Sequence, residues 1–224
     1  MPAFNEEANI QPMIEAVLET FRPIATDLEV IVVDDGSRDG TARAVQAIAA
    51  HQSRVRLVQH PKNRGYGAAL YSGFTAATKE WIFLTDSDRQ FNLNEFQNLL
   101  PHTSQADLVI GYRAPRRDPI YRRLNGWGWN FLVNLLFGAT ARDVDCAFKL
   151  FKREILDHIT ILSRGATFSA EFLVRAKRAG YQIFQVRVSH FPRRAGQPTG
   201  ARPDVIVRAF RELIRVRFAL WRGN

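Results

Sequence analysis

Two apolar runs that each end in an acidic cluster constrain this chain most. Glu29-Val30-Ile31-Val32-Val33 leads into Asp34-Asp35-Gly36-Ser37, and Trp81-Ile82-Phe83-Leu84-Thr85 leads into Asp86-Ser87-Asp88-Arg89-Gln90. Short apolar runs bounded by turn residues read as buried strands. In an open parallel sheet the ligand crevice lies at the carboxyl ends of the strands, so both clusters are expected to face one site. Carboxylates gathered there, in a chain otherwise rich in arginine, suggest a divalent cation that holds a diphosphate.

The rest of the pattern supports such a sheet. Ile10, Met13, Ile14, Val17, Leu18 and Phe21 recur at helical spacing behind Asn5, a candidate cap, and Pro23 ends the run. A helix over 41–50, a strand over 55–58, a helix opened by Asn63-Arg64-Gly65-Tyr66-Gly67, a helix near 94–100 and a strand over 107–110 follow. Strands alternating with helices at this pace predict an α/β fold, a doubly wound and mostly parallel sheet flanked by helices. Beyond Gly111 the spacing predicts an apolar helix over 124–137, mixed strand over 143–151, a helix over 170–179, a strand over 181–188 and a last helix over 204–221.

Bulk properties narrow the function. The chain has 224 residues and 46% hydrophobic content, enough for a large core without disulfides. Cys146 is the only cysteine, so an internal bridge is excluded and a reducing compartment fits. No secretory signal is visible behind Met1, and no apolar run approaches the ~18 residues of a membrane span. The expected location is cytoplasmic, or peripheral on the cytoplasmic face of a membrane. Thirty-one Lys+Arg against 22 Asp+Glu give a net charge of +9. Most of that charge is arginine, which suits phosphates; anionic lipid, nucleic acid and phosphorylated substrates are all compatible partners.

Side chains two apart on an extended segment share a face, so Asp86, Asp88 and Gln90 can converge on a hard cation such as Mg²⁺ or Mn²⁺. Gly36 lets the first turn approach a ligand closely. The Asn63–Gly67 loop opens a helix whose free amides favour anions, but it lacks the spacing of a P-loop or dinucleotide fingerprint.

The order of these motifs, from Pro2-Ala3-Phe4-Asn5-Glu6-Glu7 through the Asp34 and Asp86 clusters to Asp143-Val144-Asp145-Cys146-Ala147-Phe148-Lys149, resembles family-2 glycosyltransferases of GT-A fold. Within them it is most similar to the dolichol- or polyprenyl-phosphate mannosyl/glucosyltransferase branch. The resemblance implies a catalytic domain over 1–203 with a basic amphipathic helix over 204–224. It also implies that a strand normally precedes the Pro2 segment, so the first strand is expected to be missing. Asp88 and Gln90 would touch the metal, with Asp86 assisting through the metal, its water or the sugar-nucleotide. Asp35 would bind the nucleoside, with Pro2, Ala3, Glu6, Gly36 and Ser37 around base and ribose. Arg113, Arg123 and Arg194 would neutralise the donor diphosphate and acceptor phosphate, with Arg122 and Arg193 as neighbouring candidates. Arg193-Arg194-Ala195-Gly196-Gln197-Pro198-Thr199 resembles the branch's Arg-x-x-Gly-x-Ser element, with Thr199 for serine.

The implied reaction moves a hexose from a GDP-mannose- or UDP-glucose-type donor to a polyprenyl phosphate with inversion. A phosphate acceptor is already an anion near neutrality and needs charge compensation rather than a base. A hydroxyl acceptor would need a base, for which Glu171 is the reserve candidate; Asp143 and Asp145 could line the acceptor side. A glycan acceptor and an inactive nucleotide-binding fragment stay open as alternatives. A nucleic-acid binder does not explain the strand-end carboxylates, and no such motif is present. Val207, Phe210, Ile214, Phe218 and Trp221 form a helical stripe that either meets a membrane interface or docks on the core; Trp127 and Trp129 could likewise meet lipid. The five histidines have no metal-ligand spacing and read as structural or surface residues.

Overall fold

The computed structural model describes residues 1–114, 120–138, 140–193 and 203–221, without the side chains of 120–123, 125 and 203–207. In chain order the elements are β1 (Pro2–Ala3), α1 (Glu7–Phe21), β2 (Val30–Asp34), α2 (Thr41–Ala49), β3 (Val55–Gln59), α3 (Tyr66–Ala76), β4 (Trp81–Thr85), two 3₁₀ turns (Leu93–Asn98 and Leu100–His102), β5 (Leu108–Arg113), α4 (Ile120–Phe137), β6 (Phe148–Lys152), α5 (Ile155–His158), α6 (Phe168–Arg178), β7 (Ile183–Val188) and α7 (Pro203–Trp221). The expected helix near 94–100 is therefore 3₁₀.

The strands form two sheets among the described residues, β1-β2-β3 and β4-β6-β5-β7. All pairs are parallel except those of β6, which runs antiparallel between β4 and β5. Pro2 and Ala3 pair in parallel with Val33 and Asp34, a ladder of two residues. Below that two-residue ladder the chain-facing edges of β2 and β4 flank a cavity of about 510 Å³, lined by Met1, Ile31, Val33, Leu70, Trp81 and Phe83 among others.

The core follows the sequence periodicity. Ile10, Met13, Ile14, Val17 and Phe21 of α1 pack with Val30 and Val32, and Phe21 meets the rings of Phe83 and Phe96. On the other side Phe74, Phe151, Phe168 and Phe172 make a tilted aromatic cluster. Each such ring buries enough apolar area to contribute about 1.5–3 kcal/mol. Asn5 does not cap α1. It sits at φ +55°, and its Oδ1 accepts from Arg38 N, while Thr41 Oγ1 and Asp39 Oδ2 accept from Glu6 N and Glu7 N. These bonds tie the start of α1 to the first acidic turn rather than to itself.

The last helix docks through a face other than the expected stripe. Ala209, Leu213 and Val216 are buried, whereas Phe210, Ile214, Phe218 and Trp221 remain exposed, Trp221 at 75%. Arg208, Arg211 and Arg215 are exposed beside them. On α4, Leu124, Trp127, Phe131 and Leu135 form a second exposed stripe, and Trp127 stacks on Phe131.

Candidate active site

The chain places both acidic turns beside the end of β1. Asp35 N donates to Ala3 O at 2.8 Å, and Ser87 Oγ donates to Pro2 O at 2.9 Å. Pro2 and Ala3 thus bridge the turns that follow β2 and β4, which is how two motifs some fifty positions apart come to lie beside one strand end.

In the first turn the two aspartates have separate tasks. Asp34 accepts from Ser37 N and Gln59 Nε2, which closes the turn. Asp35 is buried; its Oδ1 meets His60 Nδ1 at 2.7 Å and Arg64 N at 2.9 Å, and its Oδ2 accepts from Gly65 N at 2.8 Å. His60 Nε2 in turn lies 2.9 Å from Ser72 Oγ on α3. The carboxylate therefore caps the loop that opens α3. Gly36 is obligatory here: its φ is +70°, and a Cβ would sit 2.4 Å from the carbonyl carbon of Lys62. A second cavity, about 580 Å³, opens beside this turn and is lined by Phe4, Gly36, Ser37, Gln59, His60, Lys62 and Asn63 among others.

The second turn is strained and electrostatically loaded. Arg89 adopts φ +59°, a left-handed conformation that costs a non-glycine residue about 1 kcal/mol or more. Asp86 is pushed up to about 7, first by burial and then by Asp88; a hydrogen bond from Tyr66 OH at 3.1 Å, Arg113 and Lys149 oppose the rise. Asp88 Oδ1 accepts from Gln90 N, and its Oδ2 lies 3.2 Å from Arg193 Nη2. The same Nη2 is 2.9 Å from Glu6 Oε1, and Glu6 also accepts from Asn9 Nδ2. Burial raises the Glu6 carboxyl above its ordinary value, and Asp88 adds to the rise. Gln90 is tied to the Arg193 segment twice: Phe191 N donates to Gln90 O, and Gln90 Nε2 donates to Phe191 O at 2.7 Å.

On β5 and the chain before β6 the cations are held by acids. Arg113 forms a two-pronged pair with Asp143, Nε to Oδ2 at 2.7 Å and Nη2 to Oδ1 at 2.8 Å. Burial alone would lower the guanidinium pKa, but Asp143 holds it above its usual value. Lys149 is 1% exposed on β6, and burial lowers its pKa; its ammonium donates to Cys146 O, and Asp145 and Asp143 favour its charge. The Cys146 thiol is pushed up to about 12 by burial and by Asp143, which makes it unreactive. Asp145 is exposed.

Three expectations change. Glu171 is not an open carboxylate: it is 1% exposed, accepts from Leu162 N and Ser163 N, and pairs with Arg175 Nε at 2.7 Å. Asp143 is engaged with Arg113. Arg193, a secondary candidate, reaches Glu6 and Asp88. The side chains of Arg122 and Arg123, and the whole of Arg194 and Thr199, lie outside the described residues. Sequence reasoning missed His60 and Tyr66; a histidine directly after a strand that pairs with the Asp34–Asp35 strand was the available signal.

Among the described residues no group of three or more His, Cys, Asp and Glu side chains forms a ready-made cation site. The donor set at the second turn still fits a hard cation that takes one or two carboxylates and completes its shell with diphosphate oxygens and water. Asp86, Asp88 and the amide oxygen of Gln90 are the residues that would supply that chemistry.

A family model, glycosyl transferase family 2, matches residues 1–160. The chain belongs to that family. Curated family-2 relatives include dolichyl-phosphate beta-glucosyltransferase ALG5C of Trichomonas vaginalis, 33% identical over 69% of this chain and 51% of the relative. Dodecaprenyl-phosphate galacturonate synthase of Rhizobium johnstonii is 26% identical over 88% of this chain and 59% of the relative. The chain thus spans about half to three-fifths of these relatives. Among solved structures, glucosyl-3-phosphoglycerate synthase of Mycobacterium tuberculosis with Mn²⁺ and UDP-glucose aligns over 97% of this chain and 76% of its own, with a TM-score of 0.67 and 22% identity. That likeness establishes the fold, a GT-A-type α/β sheet with flanking helices.

Proposed function

We propose that this family-2 glycosyltransferase moves a hexose from a nucleotide-diphosphate sugar to a polyprenyl phosphate, with inversion and with Mg²⁺ or Mn²⁺. The observation that carries the reading is the state of the carboxylates. Glu171 is buried in an ion pair and Asp143 is clasped by Arg113, so neither is free to serve as a general base. A phosphate acceptor needs none, since its second proton is lost near pH 6. It needs cations to offset the repulsion between two phosphorylated reactants, and Arg193 already reaches the acidic turn in a chain rich in arginine. The polyprenyl-phosphate chemistry named for the curated relatives supports the same reading.

In this scheme Asp86, Asp88 and Gln90 would hold the cation, which neutralises the leaving diphosphate. Pro2, Ala3, Glu6, Asp35, Gly36 and Ser37 would receive the nucleoside. An oxygen of the lipid phosphate forms the new bond to the anomeric carbon as the bond to the nucleoside diphosphate breaks on the opposite face. No proton moves in that step. Arg122, Arg123, Arg194 and Thr199 are the proposed contacts of the donor and acceptor phosphates, while Arg113 holds Asp143.

A lipid acceptor requires access to a bilayer. Among the described residues no helix is long and apolar enough to cross a membrane. The exposed Phe210, Ile214, Phe218 and Trp221, with Arg208, Arg211 and Arg215 alongside, give α7 the character of an interfacial helix. Peripheral attachment to the cytoplasmic face fits that character.

The alternative is a hydroxyl acceptor, favoured by one observation: Asp145 is exposed near Lys149 and could accept a proton. Radiolabelled GDP-mannose, UDP-glucose and UDP-GlcNAc, each offered with polyprenyl phosphate and Mn²⁺, followed by solvent extraction, separates the two. Label in the lipid phase that depends on Mn²⁺, disappears in Asp88→Asn and survives in Asp145→Asn supports the lipid-phosphate reading. Loss of transfer in Asp145→Asn with normal binding of donor favours the hydroxyl acceptor, and a product of retained configuration overturns inversion.

A further inference from the structure

The contacts of Arg193 go beyond charge balance. One guanidinium nitrogen spans Glu6 Oε1 and Asp88 Oδ2, at 2.9 and 3.2 Å, with the Arg193 side chain 24% exposed. A positive group between these two carboxylates offsets their mutual repulsion, a task that a divalent cation bound to Asp88 could also perform. The segment that carries it is clipped to the acidic turn by the reciprocal bonds between Gln90 and Phe191. Asp88 of the ion pair and Gln90 of the clip are residues assigned above to the cation, and Glu6 is assigned to the nucleoside.

We propose that Arg193 is a resident counter-cation of this site, which competes with the divalent cation for Asp88 and leaves when that cation binds. The inference rests on the metal assignment made above and adds a regulatory contact to it. Asp88 Oδ2 cannot donate its full charge to a cation while the guanidinium holds it, because like charges a few ångströms apart repel. The guanidinium keeps the turn assembled before the cation arrives, since Glu6 and Asp88 would otherwise face each other uncompensated. Exchange then converts a protein ion pair into a cation site without unfolding the turn. It also frees an arginine, a residue type suited to phosphate, beside the diphosphate that enters with the cation.

Mn²⁺ binding is read without any turnover, by loss of the free Mn²⁺ electron paramagnetic resonance signal, on wild type, Arg193→Gln and Asp88→Asn. The expected result is that Arg193→Gln binds Mn²⁺ about tenfold more tightly than wild type, the scale of one displaced charge-assisted pair at a partly exposed site. Thermal melting supplies the second readout. Without metal Arg193→Gln melts below wild type, and saturating Mn²⁺ raises its melting temperature more than it raises that of wild type. Equal or weaker Mn²⁺ binding by Arg193→Gln, while Asp88→Asn abolishes binding, overturns the competition and leaves the metal assignment standing. Undiminished binding by Asp88→Asn overturns both.

Discussion

Asp86→Asn should make the protein more stable at neutral and alkaline pH while abolishing transfer. Asp86 has an ordinary value of 3.8 in the unfolded chain and about 7 in the fold, raised by burial and by Asp88. The unfolded state therefore loses this proton first as pH rises. Stability falls across the window from about pH 4 to about pH 7 and is then flat. A shift of about three units corresponds to at most about 4 kcal/mol. Asp86 is only partly buried and shares the cost with Asp88, so solvent screening reduces the figure to about 1–2 kcal/mol. Asparagine keeps an acceptor for Tyr66 OH and removes the charge.

Thermal melts of both proteins between pH 4 and pH 8.5 test this. For a chain of this size about 1–2 kcal/mol corresponds to roughly 2–8 °C. The gap should be absent near pH 4, open as pH rises and be complete above pH 7. Saturating Mn²⁺ should stabilise wild type more than the variant and so close the gap, because the cation supplies the charge compensation that the apoprotein lacks. An Asp86→Asn protein no more stable than wild type at pH 8 would refute the reasoning, as would a gap independent of pH.

Other positions separate structure from chemistry. His60→Ala removes the partner of Asp35 and Ser72; it should cost about 1–3 kcal/mol in urea denaturation and raise KM for the donor more than it lowers kcat. Glu171→Gln strands the buried Arg175 and should cost about 3–5 kcal/mol, read by the same denaturation, with kcat per folded molecule nearly intact. On α7, Phe218→Glu should weaken binding to anionic vesicles in a sedimentation assay without shifting the melting temperature, whereas Leu213→Ala should cost about 2–5 kcal/mol with vesicle binding retained.

What could be read from the sequence was what the chain encodes locally. The runs ending at Asp34 and Thr85 are apolar on both faces, and their strands and acidic ends appear where expected. The stripe Ile10, Met13, Ile14, Val17 and Phe21 is buried as its spacing requires. Failures came where distant partners decide. Asn5 has the chemistry of a helix cap, but Ser37 and Arg38, more than thirty positions on, claim its backbone and side chain. On α7 the sequence left the stripe open between a membrane interface and the core, and Ala209 and Leu213 dock instead, with Thr167 Oγ1 donating to Ala209 O. Glu171 begins a helix, as expected of an acidic residue, but Arg175 one turn later withdraws it from solvent. In the second acidic turn Gln90 N donates to Asp88 Oδ1, but nothing local could announce that Arg193, over a hundred positions away, closes on Asp88.

Charge balance ties these contacts to the acceptor. Around the second turn the described residues place Glu6, Asp86, Asp88, Asp143 and Asp145 against Arg113, Lys149 and Arg193. The acids exceed the cations, and burial, with Asp88 adding to it, raises Asp86 and Glu6. A dication would bring such a site near neutrality, after which a donor diphosphate and a lipid phosphate would both arrive as anions. Arg113 is committed to Asp143, and Lys149 is buried against Cys146 O, so Arg193 is the described arginine whose partners, Asp88 and Glu6, the dication could take over. For the second phosphate we propose Arg122, Arg123 and Arg194, which the family resemblance implies. Charge-reversing substitutions there should raise KM for polyprenyl phosphate while donor binding holds, whereas substitutions at Asp88 should do the opposite; coincident effects on both substrates would break the division of labour that this balance demands.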